Sequence, residues 1–135
     1  MADVLQLEVV TPERLVIREE VTEVQIPAKN GFVGILPGHA ALLAELGIGL
    51  MSYTVDGQKR YTTINRGFLE VLNDHVRILT DTAERADEVD VARAQASLER
   101  AQQRLNISGE PGLDIARALA AFERATARLA AATQK

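Results

Sequence analysis

The stretch IGLMSYTVDGQKRYTTI, residues 48–64, sets two runs of strand-forming residues, Ile48–Val55 and Gln58–Ile64, on either side of Asp56-Gly57. Asp-Gly accepts positive φ at both central positions of a tight turn, and branched and aromatic side chains flank it, so the segment reads as a β-hairpin. The pattern repeats downstream, where Phe68–Leu72 and His75–Thr80 flank Asn73-Asp74. Consecutive hairpins imply antiparallel pairing. Upstream, Val4–Val10 alternates with Leu5, Leu7 and Val9 on one face and Gln6 and Glu8 on the other. Thr11-Pro12-Glu13 then turns the chain, and strands follow at Leu15–Arg18 and Val21–Ile26, the latter with Thr22, Val24 and Ile26 as its more apolar face. Pro27 is expected to end that strand before a turn at Lys29-Asn30-Gly31. No βα alternation precedes residue 82. A doubly wound sheet is thereby disfavoured, and six to ten short strands close most economically as an antiparallel β-sandwich or flattened barrel.

Beyond this region the composition changes. Residues 1–82 contain seven of the nine Gly and five of the 20 Ala, whereas residues 83–135 contain two Gly and 15 Ala. Alanine, arginine, glutamate and glutamine cost little to hold in a helix, so the tail is expected to be helical. The division predicts a sandwich over residues 1–84 and a two-helix hairpin over 85–135. Asp87 is the expected start of the first helix, with acids in its first turn suiting the positive helix end. Val91, Ala94, Leu98, Ala101 and Leu105 form its stripe up to Asn106. Ser108–Gly112 then breaks the helix, and a second opens at Leu113 or Asp114 with the stripe Ile115, Leu119, Phe122, Thr126 and Leu129. A seam so rich in alanine buries little apolar surface, so the hairpin is expected to be loosely held.

The whole chain has 135 residues, 47% hydrophobic and 25% charged, enough for one core and a small appendage. Its net charge of -4 provides no general attraction for nucleic acid or an anionic membrane. The lack of cysteine excludes disulfides, thiolate catalysis and a Cys-built zinc site. No apolar run approaches the roughly 20 residues needed to span a bilayer, and Asp3 and Glu8 interrupt the N-terminal apolar residues, so a cytosolic or peripheral protein is expected.

Little in the chain announces catalysis. His39 and His75 lie in no local metal-ligand spacing, no phosphate loop joins a strand to a helix, and the acids are scattered. The distinctive polar set is a ladder of tail arginines. Arg93, Arg100 and Arg104 on the first helix are spaced by seven and four, as are Arg117, Arg124 and Arg128 on the second. Two readings stand: solvated arginines paired with acids such as Glu99 or Glu123, or an anion cradle in which guanidinium forks face phosphate oxygens.

GFVGILPGHAALL, residues 31–43, closely resembles the epsilon subunit of bacterial and chloroplast F-type ATP synthases, and the likeness continues through GFLEV (67–71) and VRILTDTAE (76–84). The resemblance implies an N-terminal ten-stranded β-sandwich and a C-terminal helical hairpin. It also implies a non-catalytic rotor subunit that sits with the gamma subunit on the ring of c subunits and helps couple proton-driven rotation to ATP synthesis. The Gly31–His39 region would lie near that contact, although Lys29 and Phe32 depart from an acidic surface there. In the family the hairpin can leave its docked form, reach the alpha and beta subunits and inhibit ATP hydrolysis. This places the chain, peripherally and through protein contacts, on the cytoplasmic face of a bacterial membrane.

Some family members bind ATP in the docked hairpin as a regulator, with no cofactor required. Their helix-opening pattern is similar to Val89-Asp90-Val91-Ala92-Arg93-Ala94, with valine in the first place. By this resemblance Glu84, Val89 and Asp90 would hold the adenosine end, and Arg93, Arg100, Arg124 and Arg128 the phosphates. The alternative is a purely structural sandwich adaptor of the stalk, without inhibitory or nucleotide-binding roles.

Overall fold

The computed structural model describes residues 3–106 and 114–134. Seven strands form one continuous hydrogen-bonded sheet: β1 (Leu5–Val10), β2 (Leu15–Val21), β3 (Glu23–Ala28), β4 (Gly31–Ile35), β5 (Leu42–Val55), β6 (Gln58–Leu72) and β7 (His75–Thr80). Their order is β2-β1-β7-β6-β5-β3-β4. Both expected hairpins form with two-residue loops. Asp56 and Gly57 have φ of 49° and 78°, and Asn73 and Asp74 have 50° and 61°, the left-handed pair that matches the twist of the flanking strands.

The long β5–β6 ribbon makes this sheet a sandwich. β7 pairs with β6 only over Gly67–Leu72, while β3 pairs with β5 mainly over Ser52–Thr54. Each half of the ribbon thus carries a different set of strands, and the two sets close on one core. Leu5, Leu7, Val9, Ile26, Ile35, Met51, Leu69 and Ile78 all lie in that core. Between the halves, the ladder omits the opposing pair Gly47 and Arg66, and Arg66 and Gly67 take φ of 58° and 121°. A Cβ at Gly67 would overlap the Leu79 carbonyl oxygen, so only glycine fits. The expected strands at Gln58–Ile64 and Phe68–Leu72 are therefore one strand crossing a bend. The described residues thus form seven strands where the resemblance implied ten.

Three details differ from the sequence reading. β1 lies between β2 and β7 and pairs with β7 in parallel, so pairing is antiparallel everywhere except at that seam. Val21 ends β2, and Thr22 separates it from β3. Pro27 does not end β3: it pairs opposite Phe32 in β4, and its missing N–H falls where the β3–β5 register slips between Gln25 and Ala28, a place where proline costs the ladder nothing.

After the sheet, a single 3-10 turn (Ala86–Glu88) leads to α1 (Val91–Asn106) and α2 (Ile115–Ala132). Helix α1 starts later than expected. Glu88 is drawn toward Arg14 and Arg85, Val89 is extended and buried, and Asp90, not Asp87, accepts the Arg93 N–H at 3.1 Å as the cap. Asp114 caps α2 by accepting the Arg117 N–H at 3.0 Å. The expected break at Ser108–Gly112 and the alternative start at Leu113 lie outside the described residues.

Helix α2 packs on both α1 and the β5–β6 ribbon. That double contact overturns part of the expected stripe, of which Phe122 and Leu129 are half-buried, Leu129 against the cluster of Val89, Ala94 and Ala131. The buried residues of α2 are Ala118, Ala120, Ala125, Ala127 and Ala131, whereas Ile115 and Leu119 are 58% and 46% exposed and Thr126 is exposed. In α1 only Ala94 and Ala101 of the expected stripe are fully buried, while Leu98 and Leu105 are half-buried and Val91 is exposed. A helix with neighbours on two sides is approached most closely along its methyl faces, and the bulkier side chains are left at the margins.

Candidate functional site

The arm is attached to the sandwich by a backbone clasp at Glu84. Its carbonyl oxygen accepts both the Thr63 N–H and the Thr62 hydroxyl at 2.9 Å, and its own N–H donates to Thr63 Oγ1 at 2.9 Å. Ala83 is anchored in the sandwich core just before it. With its backbone held, Glu84 presents its carboxylate to α2, where Arg128 Nε lies 2.7 Å from Oε1 and Arg128 Nη2 donates to Oε2 at 3.5 Å. The buried Nε–H is not aligned on an acceptor, so that contact is an ion pair, with the weaker hydrogen bond made by Nη2.

Above this pair opens a cleft of about 490 Å³ between the helices and β6. Arg93, Arg100 and Arg104 line it from α1, Arg124 and Arg128 from α2, and Glu84 from the linker. Their spacings of four and seven align the arginines along one helix face, and antiparallel packing turns the two rows toward each other. The expected pairing with Glu99 or Glu123 is not what the described residues do: among them, Arg93, Arg100, Arg104 and Arg124 form no ion pair. Arg100 instead donates to Ser97 Oγ at 3.1 Å. Five guanidinium groups facing one carboxylate make a concave region of positive potential on a chain of net charge -4. Such a region favours an anion with several oxygens.

The structure brings together Glu84, Arg93, Arg100, Arg124 and Arg128 from the expected set, and leaves two others beside the cleft. Val89 is buried against Ala94 and Ala131, with Leu50 of β5 packed on the same cluster, and the Asp90 side chain caps α1. Arg117 is exposed and outside the lining. Arg104, the far end of the ladder, does line the cleft, as do Asn65 and Thr82 from the sandwich side. No local motif marks these last two, because only the docking of the arm makes them neighbours of the arginines.

A second anchor holds the linker. Glu88 accepts the Arg85 N–H at 3.0 Å and a hydrogen bond from Arg14 Nη2 at 2.8 Å, joining the 3-10 turn to the β1–β2 loop. Burial alone would raise the Glu88 carboxyl, but the Arg85 N–H and the two guanidinium groups outweigh it and hold the group below its ordinary value.

At another part of the sandwich, Leu36-Pro37-Gly38-His39 forms a tight turn. The His39 N–H donates to the Leu36 carbonyl at 3.1 Å and Gly38 has φ of 87°, the type II arrangement with proline and glycine at its centre. Phe32 and Leu36 are 68% and 58% exposed beside it, and His39 is half-buried with Nδ1 2.7 Å from the Ala40 carbonyl oxygen. Among the described residues there is no cluster of three potential metal ligands, and no helix long and apolar enough to cross a membrane.

Comparison with known proteins assigns the architecture. Residues 4–86 match the family described as ATP synthase, Delta/Epsilon chain, beta-sandwich domain, and residues 87–133 match its long alpha-helix domain. The ATP synthase epsilon chain of Solibacter usitatus is 60% identical over 103 residues, 76% of this chain and 77% of that one. The epsilon chain of Koribacter versatilis is 53% identical over 109 residues, 81% of this chain and 77% of its own. A chain in the Euglena gracilis mitochondrial ATP synthase shares the fold, with a TM-score of 0.82 at 24% identity over 98% of this chain and 83% of that one. With both domains matched in order and relatives this close, the chain belongs to the epsilon-chain family of F-type ATP synthases, the non-catalytic subunits of the central stalk.

Proposed function

We propose that this chain couples the rotor of its ATP synthase through the sandwich and regulates ATP hydrolysis through the helical arm, with ATP as the ligand that favours the docked arm. The carrying observation is the cleft itself: five arginines from both helices converge over Glu84, and three of those side chains have no internal ion or hydrogen-bond partner among the described residues. A triphosphate bridging α1 and α2 would neutralise their mutual repulsion only while the helices lie side by side. Nucleotide would then shift the arm toward docking by its preference for that state, not by its affinity alone.

Release is physically accessible because the arm is held by alanine methyls and two ion-pair anchors instead of a large apolar core. The helices keep their backbone hydrogen bonds while exchanging one contact surface for another, and the extended arm would reach the alpha and beta subunits. The sandwich would stay on the gamma subunit and the c ring with the Leu36–His39 turn toward the rotor, a peripheral position on the cytoplasmic face of the membrane reached through protein contacts. The decisive experiment reconstitutes the catalytic head and gamma subunit with the full chain or with a chain lacking residues 87–135, at low and high ATP. Greater inhibition by the full chain at low ATP than at high ATP supports the proposal. Equal turnover with both chains at both concentrations leaves the structural-adaptor reading.

A further inference from the structure

We propose that Asp74 is a positioning residue for the Leu36–His39 turn, holding it in the form that meets the rotor; this rests on the reading of that turn as a rotor contact. The turn's own hydrogen bond uses the His39 N–H and leaves the Gly38 N–H without a partner inside the turn. Asp74 Oδ1 accepts that N–H at 2.7 Å across 36 residues of sequence, the short distance of a bond to a charged acceptor. Asp74 is itself immobilised. It is the second residue of the β6–β7 turn at φ 61°, is half-buried, and its carbonyl oxygen accepts the Gln6 N–H at 2.8 Å. One residue therefore ties three separate segments: the turn, the β6–β7 hairpin and the start of β1.

The consequence is pre-organisation. The Pro37–Gly38 peptide is the part of a type II turn most able to flip, and flipping would re-aim Leu36 and the chain that follows. Fixing Gly38 N–H removes that freedom before a partner arrives, which lowers the ordering cost of binding. Aspartate and asparagine tolerate positive φ and both supply a side-chain acceptor, whereas glycine tolerates the backbone and supplies none. Asp74→Gly therefore removes the bond without straining the hairpin, and Asp74→Asn retains it in neutral form.

The test measures association of the full chain with a purified rotor subcomplex of gamma and c ring by surface plasmon resonance. The variants are Asp74→Gly, Asp74→Asn and the double variant Phe32→Ser/Leu36→Ser, with Gly38 amide exchange followed by NMR. Asp74→Gly is expected to weaken association about tenfold and to speed Gly38 exchange by a similar factor, in line with loss of one charge-assisted bond; Asp74→Asn stays close to the parent chain. Normal association of Asp74→Gly alongside weakened association of the double variant overturns the role of Asp74 and leaves the rotor reading intact. Normal association of the double variant overturns the rotor reading and the positioning role with it. If Asp74→Gly does not fold, the parent chain decides: a protected Gly38 amide together with near-parental association of Asp74→Asn supports the proposal, and an unprotected one overturns it.

Discussion

Replacing Ala131 with leucine is expected to loosen the docked arm while sparing the sandwich. Ala131 is fully buried in a small cluster with Val89 and Ala94, against which Leu50 of β5 packs. It therefore sits where α2, the linker, the start of α1 and the sheet meet. Burying one methyl is worth roughly 0.8 kcal/mol, so the five buried alanines of α2 contribute about 4 kcal/mol before the cost of ordering the arm is subtracted. Forcing a larger side chain into such a packed site typically costs about 1–3 kcal/mol. At about 1.4 kcal/mol per decade, the docking equilibrium would shift toward the released arm by roughly 5- to 150-fold. Thr126→Leu is the control, because it enlarges an exposed position on the same helix. Amide exchange read by mass spectrometry should show lost protection of the docked α2 surface in Ala131→Leu only, with the core strands β1 and β7 unchanged. Equal protection of α2 in both variants would refute the claim that close alanine packing is what holds the arm down.

Arg93→Ala or Arg124→Ala should weaken ATP binding about 10- to 100-fold, by loss of one charge-assisted contact each, and leave the far-UV circular dichroism unchanged; equilibrium dialysis with labelled ATP checks this. Glu88 sits below its ordinary carboxyl value near 4.5, so its contribution to linker anchoring is complete above that pH and is lost as pH falls through the lowered folded value. Exchange of the residue 85–89 amides should therefore accelerate below about pH 4.5 in the parent chain after correction for intrinsic rates, and Glu88→Gln should remove the dependence. Gly67→Ala should destabilise the sandwich by at least about 3 kcal/mol in urea titrations, since its φ of 121° and the nearby Leu79 carbonyl exclude a side chain. A chain lacking residues 87–135 should still co-purify with the gamma subunit, because the sandwich core is formed by residues before that point.

The strand content, both tight hairpins and the change to helix were legible in the sequence for a local reason. Asp56-Gly57 and Asn73-Asp74 are turn pairs whose backbone needs no distant partner, and the Leu5, Leu7 and Val9 alternation exposes its period directly. The arginine ladder was legible too, since helix geometry alone aligns residues seven apart. What the ladder faces was not. Glu84 and Arg128 are 44 residues apart, and Asn65 and Thr82 become cleft residues only when α2 lies on β6. The same holds for Pro27, permitted inside β3 by a register slip, and for β1, inserted in parallel beside β7. Periodicity placed Phe122 and Leu129 partly inside but missed most of the α2 core, because it assumes one buried face, and two neighbours bury its alanines while Ile115 and Leu119 lie outward. Sequence by itself thus determined the elements and the chemical character of the arm, since backbone preference and side-chain charge are local properties. Only the tertiary structure decided which groups meet, because register, bending and docking depend on surfaces brought together from distant parts of the chain.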